Sequence, residues 1–161
     1  METGYIGETF THPGGSVSVG IPVVTVKGGT VAAGLQIGAY IHPRNHVGFF
    51  ALSYGEFIRP ERRSFGFSLR LLGGYYHTWP DGPLYTNDGT GGAMETPNTG
   101  RPHLGIGLDA GWRFPGLSAG PFIPIIRIAV LGEYPYNGYL LPHLAVGLGF
   151  TGTFGHGKTA E

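Results

Sequence analysis

Between residues 103 and 114 the chain alternates without a fault. Leu104, Ile106, Leu108, Ala110, Trp112 and Phe114 hold the even positions, and His103, Gly105, Gly107, Asp109, Gly111 and Arg113 the odd ones. Side chains that repeat every two residues share one face of a β-strand. This stretch therefore predicts a strand with one bulky apolar face and one glycine-rich face that carries an acid and a base.

The same period recurs along the chain. Residues 16–27 set Val17, Val19, Ile21 and Val23 against Ser16, Ser18, Gly20 and Pro22, and residues 30–42 set Val31, Leu35, Ile37 and Ile41 against Gly34, Gln36, Gly38, Tyr40 and His42. Residues 64–77 oppose Phe65, Phe67, Leu69 and Leu71 to Gly66, Ser68, Arg70 and Gly74. Residues 121–134 oppose Phe122, Ile126, Ile128 and Val130 to Ile125, Arg127, Ala129 and Glu133. Residues 141–154 oppose Leu144, Val146, Leu148, Phe150 and Phe154 to His143, Ala145, Gly147 and Gly149. Two stretches are less clear. Residues 46–58 carry bulk on both sides, Phe49 and Phe57 against Phe50 and Tyr54, which leaves their facing open, and residues 3–10 alternate only weakly.

Turn signals separate these runs: His12-Pro13-Gly14-Gly15, Lys27-Gly28-Gly29, Pro43-Arg44-Asn45, the charged residues 59–63, residues 115–120, and Pro135-Tyr136-Asn137-Gly138. Residues 78–101 have no period, hold three prolines and a polar tract, and read as one long loop. The count is eight strands in a single domain, residues 1–161. An even count places both termini at one end with the turns near 28, 61 and 117, and the turns near 13, 44, 90 and 137 at the other. The predicted fold is all-β, an eight-stranded antiparallel up-and-down transmembrane β-barrel with its apolar faces on lipid and its glycine faces on the lumen.

Composition sharpens the choice of solvent. Glycine accounts for 31 of 161 residues and charged residues for 12%, against 41% hydrophobic. No run approaches the ~20 apolar residues that a membrane-spanning helix needs, so a membrane crossing here is by strands. A soluble lipocalin-like barrel, with an apolar ligand inside and the glycine face on water, is disfavoured because water-facing surfaces usually carry ~25–35% charged residues. Net charge is zero with no basic block, which excludes nucleic acid as the expected partner, and the absence of cysteine removes disulfides, thiolate metal sites and thiol nucleophiles. The N-terminal Met-Glu-Thr-Gly-Tyr has neither the charged nor the apolar region of a signal peptide. An outer-membrane location therefore requires Met1 to open a mature form.

The Gly-x-Gly-x-x-x-Gly-Trp-Arg-Phe string at 105–114, and a last strand Leu144-Ala145-Val146-Gly147-Leu148-Gly149-Phe150 running to Phe154, resemble the eight-stranded outer-membrane barrels of the OmpA, OmpX and OmpW kind. The resemblance covers the whole chain in architecture and two strands in sequence. It implies a Gram-negative-type outer membrane, its lipid as solvent, and a terminal aromatic read by the insertion machinery. One departure is that seven residues follow Phe154.

The chemistry available inside such a barrel is limited. The glycine faces collect Glu56, Arg70, Asp109, Arg113, Arg127 and Glu133, three acids and three bases, and burial requires such charges to be paired. The expected result is a lumen plugged by a salt-bridge network; a conducting path would need that network to open. Six of the seven histidines, His12, His42, His46, His77, His103 and His143, fall at the end away from the termini, and His42, His46, His103 and His143 share the inward parity. Convergent imidazoles would suit a divalent transition metal, whereas the plainer reading places them as polar aromatics at strand ends beside turns. Trp79, Trp112, Tyr75 and Tyr134 read as residues of interfacial girdles. Barrel enzymes of this kind act on lipid A, some through Ser-His-acid chemistry, but no His-x-Ser string occurs, and Ser53, the one mid-strand serine expected to face lipid, has no His or acid beside it. The expectation is a non-enzymatic structural, adhesion or accessory surface protein that binds an envelope or surface protein through its outer loops. A narrow channel or metal-binding barrel with a His-lined mouth is the alternative.

Overall fold

The computed structural model describes residues 1–7, 13–60, 65–136 and 139–152. Its strands are β1 (Glu2–Gly7), β2 (Pro13–Val26), β3 (Gly29–His42), β4 (His46–Ile58), β5 (Gly66–Pro80), β6 (Leu84–Asn87), β7 (Ala93–Thr96), β8 (Arg101–Arg113), β9 (Ile123–Tyr136) and β10 (Tyr139–Thr151). Every pairing is antiparallel. Eight strands bond in the order β1-β10-β9-β8-β5-β4-β3-β2, and β1 pairs with both β2 and β10, so the sheet closes on itself as a barrel. β6 and β7 form a separate two-stranded hairpin.

The register fixes the barrel's width. Following cross-strand partners from Glu2 through Ser18, Gln36, Leu52, Gly74, Gly105 and Glu133 arrives at Leu141 of β10. Glu2 itself pairs with Thr151, which leaves a stagger of ten residues between positions 141 and 151. Eight strands with that stagger tilt by roughly 40° and enclose a space only wide enough for side chains.

Glycine makes room inside that narrow space. A Cβ on Gly34 would run into the Tyr54 ring and one on Gly105 into the Tyr76 ring; Gly38 and Gly48 give the same clearance to Phe50 and Tyr40. The glycine-rich faces are therefore the inner faces, where a missing side chain on one strand seats an aromatic from the next. The bulky faces point outward: Ile21 is 70% exposed, Leu104 66%, Leu35 63% and Ile106 63%. β4, whose facing the sequence left open, buries Phe50, Leu52, Tyr54 and Glu56 and exposes Val47, Phe49 and Phe57.

Several boundaries differ from the sequence expectation. β5 continues to Pro80 and β8 begins at Arg101 because each pairs the other up to Thr78–Arg101, and β5 also pairs β4 up to His46–Pro80. The expected long loop contains the β6–β7 hairpin, whose four-residue strands are too short to show a period. β2 starts at Pro13, before the expected residue 16, and the Lys27-Gly28 turn holds Gly28 at φ +100°, a conformation that favours glycine. Residues 8–10 of the expected first strand, His12, residues 61–64, the Asn137-Gly138 turn, Phe154 and the C-terminal tail lie outside the described residues. At the terminal end the Met1 ammonium donates to the Gly152 carbonyl at 2.8 Å, and the Gly152 amide donates to Met1 at 2.9 Å.

Candidate functional site: a layered lumen

Inward positions read upward from the terminal end give the same order on three strands. β5 presents Ser68, Arg70, Leu72, Gly74, Tyr76 and Thr78; β9 presents Arg127, Ala129, Leu131 and Glu133; β4, running the other way, presents Glu56, Tyr54, Leu52, Phe50, Gly48 and His46. The lumen is thus stacked in three layers, charged, apolar, and histidine-rich.

The charged layer is built by register. Glu56, Arg70 and Asp109 are direct cross-strand neighbours on β4, β5 and β8, and Arg127 reaches in from β9. Arg127 donates to three carboxylates: Nε to Glu2 Oε1 at 2.6 Å, Nη2 to Glu2 Oε2 and to Glu56 Oε1 at 2.9 Å each, and Nη1 to Asp109 Oδ1 at 2.8 Å. Arg70 donates from Nη2 to Glu2 Oε2 at 2.9 Å, pairs through Nε with Glu56 Oε2 at 3.2 Å, and lies 4.3 Å over the Tyr54 ring. Gly111, opposite Arg127, leaves the space its guanidinium occupies. The multiple charge-assisted bonds offset the desolvation that burying five ions demands.

Above it Phe50, Leu52, Tyr54, Leu72 and Tyr76 form the apolar core, with Tyr40 and Leu131 packed against it. The third layer follows at the far mouth. Glu133 is buried, with Oε1 3.4 Å from His103 Nε2 and Oε2 3.2 Å from His143 Nε2. His103 Nδ1 faces the Pro135 carbonyl at 2.7 Å, and its Nε2 faces the Thr78 hydroxyl at 2.9 Å. His42 and His46 bracket their turn with rings stacked at 5.1 Å.

The six charges expected in one network therefore divide. Glu56, Arg70, Asp109 and Arg127 come together, Glu133 stands in the upper layer, and Arg113 lies lower on β8 at the level of Gly66 and Ile125. Glu2 is the member that sequence reasoning missed. β1 has no apolar face to reveal its parity, although an acid one residue from Met1 and two places before Gly4 is on the inward side once Gly4 is packed against β10. The four inward histidines divide as well, into His42–His46 and His103–His143, and among the described residues no three His, Asp or Glu side chains form a metal-ligating group. His77 faces outward, accepting from the Tyr75 hydroxyl at 2.6 Å, donating to the Thr99 carbonyl at 3.0 Å, and packing on Trp79 at 4.3 Å. Ser53 also faces outward and donates to the Gly73 carbonyl at 2.9 Å.

What these features define is an antiparallel eight-stranded closed barrel with an apolar outer wall and an ion-paired interior. No family model, curated protein or solved structure matches the chain.

Proposed function

We propose that this barrel sits in an outer membrane, with its lumen closed by side chains, and serves as a non-enzymatic structural or adhesion protein that binds an envelope or surface partner through the loops at its far mouth. The observation that carries the membrane reading is the outer wall. Among the described residues large apolar side chains stand exposed on β2, β3, β4, β5, β8, β9 and β10, including Val19, Leu35, Phe49, Leu71, Ile106, Val130 and Leu148. A continuous apolar surface of that extent is unstable in water and suited to lipid. Aromatics edge it at both ends: Tyr75, Trp79 and Tyr134 toward the far mouth, and Phe65–Phe114 and Phe67–Trp112 edge-to-face pairs toward the termini. No helix among the described residues is long and apolar enough to cross a membrane.

The binding role rests on the far-mouth connections. The β6–β7 hairpin projects Tyr85 and Met94 into solvent, and its base is tied to the barrel by Asn98 Nδ2 donating to the Pro80 carbonyl at 2.7 Å and by the His77–Thr99 bond. A rigid barrel that carries a tied-down loop is a scaffold for recognition. Asp88 orders the hairpin tip by accepting from the Thr90 hydroxyl, the Thr90 amide and the Gly92 amide at 2.7–3.0 Å, which holds its carboxyl below the usual carboxylate range.

Depth-dependent quenching by brominated lipids tests the reading, using Trp79→Phe and Trp112→Phe to isolate each indole. Both tryptophans are expected to be quenched best by bromines near the headgroups. Indoles that no brominated lipid quenches would remove the membrane assignment.

A further inference from the structure

Glu133 differs from the other carboxylates in the lumen. Glu2, Glu56 and Asp109 each accept a hydrogen bond from Arg127. Glu133, only 3% exposed, is paired among the described residues with the imidazoles of His103 and His143. The Pro135 carbonyl can only accept, so His103 Nδ1 donates to it, and Nε2 lies 2.9 Å from the Thr78 hydroxyl.

Beside Glu133 lies a cavity of about 60 Å³, walled by Tyr40, Phe50 and Tyr76 and also lined by Gln36 and Asp109. Three buried oxygens on its lining residues, Glu133 Oε1, Gln36 Oε1 and the Tyr76 hydroxyl, make no hydrogen bond to protein. All three can accept. Orphaned acceptors around an aromatic-walled space, next to a carboxylate whose ion-pair partners among the described residues are imidazoles, specify a ligand that is cationic and rich in N–H donors.

We propose that this cavity binds a small primary ammonium cation, ammonium itself or methylammonium. Its three or more N–H groups match the three orphaned oxygens, its charge compensates Glu133, and the rings add cation–π attraction. A hard metal ion would ask for about six oxygens or more, twice what these residues offer. A quaternary amine has no N–H to offer these oxygens. The inference rests on the lumen and holds whichever solvent surrounds the barrel.

The test is isothermal titration of the folded protein with methylammonium chloride at about pH 8, where an ordinary imidazole is neutral, with tetramethylammonium chloride at equal ionic strength as control. Saturable one-to-one binding of methylammonium alone is expected. Glu133→Gln is expected to weaken it by about tenfold or more, as befits loss of a charge-assisted hydrogen bond, and Gln36→Leu by a smaller factor. The proposal is overturned by no saturable heat with the folded wild-type protein, by equal responses to the two cations, or by unchanged affinity in Glu133→Gln. Should that variant not fold, unchanged affinity in Gln36→Leu overturns it equally.

Discussion

The lumen buries carboxylates at two levels and neutralises them differently. In the lower layer Glu2, Glu56 and Asp109 share two guanidiniums, and Arg127 alone spans all three. In the upper layer Glu133 faces two imidazoles. Arginine stays charged at any pH a protein survives. The lower layer is a fixed clasp that ties β1 to β4, β5, β8 and β9 across the barrel, and the upper holds one carboxylate beside two rings. Between them the apolar core of Phe50, Leu52 and Leu72 keeps the two sets of charges apart.

The sharpest way to break this contrast is Arg127→Met. It removes the guanidinium from three buried carboxylates and should cost about 3–5 kcal/mol, the penalty for stranding buried charge, read as the unfolding free energy in urea from lipid vesicles. A loss below about 1 kcal/mol, the worth of an exposed pair, would mean the lower layer is no clasp. Next is a control on the opposite side of the wall. Ile106, exposed at mid-strand, changed to Arg should cost about 2–4 kcal/mol in a bilayer, and an unchanged unfolding midpoint in vesicles would show that this face does not meet lipid.

A matched pair then compares the two acids directly. Glu56→Gln takes a carboxylate from both Arg70 and Arg127 and should cost about 1.5–3 kcal/mol. Glu133→Gln strands no arginine and should cost less stability than Glu56→Gln does. Equal losses in urea unfolding would erase the distinction between the layers. The smallest effect belongs to the far-mouth hairpin. Because the folded structure holds the Asp88 carboxyl below the ordinary aspartate value of about 3.9, its contribution to the turn is present above that value and is lost as pH falls through the lower folded value. Amide shifts of Thr90 and Gly92 should move together in that acid range while the barrel stays folded; titration of those amides at the ordinary aspartate value would contradict the turn geometry.

The fold was largely legible because a narrow barrel obeys the two-residue period strictly. Residues 103–114 already show it: every large apolar residue there points out, and every glycine sits under a neighbouring strand's side chain. β4 was not legible from its own residues, since Phe50 and Tyr54 fill space that glycines on β3 provide, and that complementarity appears only once Gly34 and Gly38 are set opposite them. The site was half legible. Parity alone placed Glu56, Arg70, Asp109 and Arg127 inside, but their grouping depends on register, which set Glu133 about three residue pairs above Arg127 and brought Glu2 in from across the lumen. Periodicity says which way a side chain points, and only strand stagger says at what height.

The central claim is that this barrel folds with lipid, not water, against its outer wall. Gel mobility of boiled and unboiled protein, refolded either with detergent micelles or in plain buffer, tests it most directly. A mobility difference between boiled and unboiled samples that appears only after refolding into detergent is the expected result. A monodisperse folded protein in plain buffer would contradict the claim, because the exposed residues of the outer wall, Ile21, Leu35, Leu104 and Ile106 among them, would then have to be covered by something other than lipid.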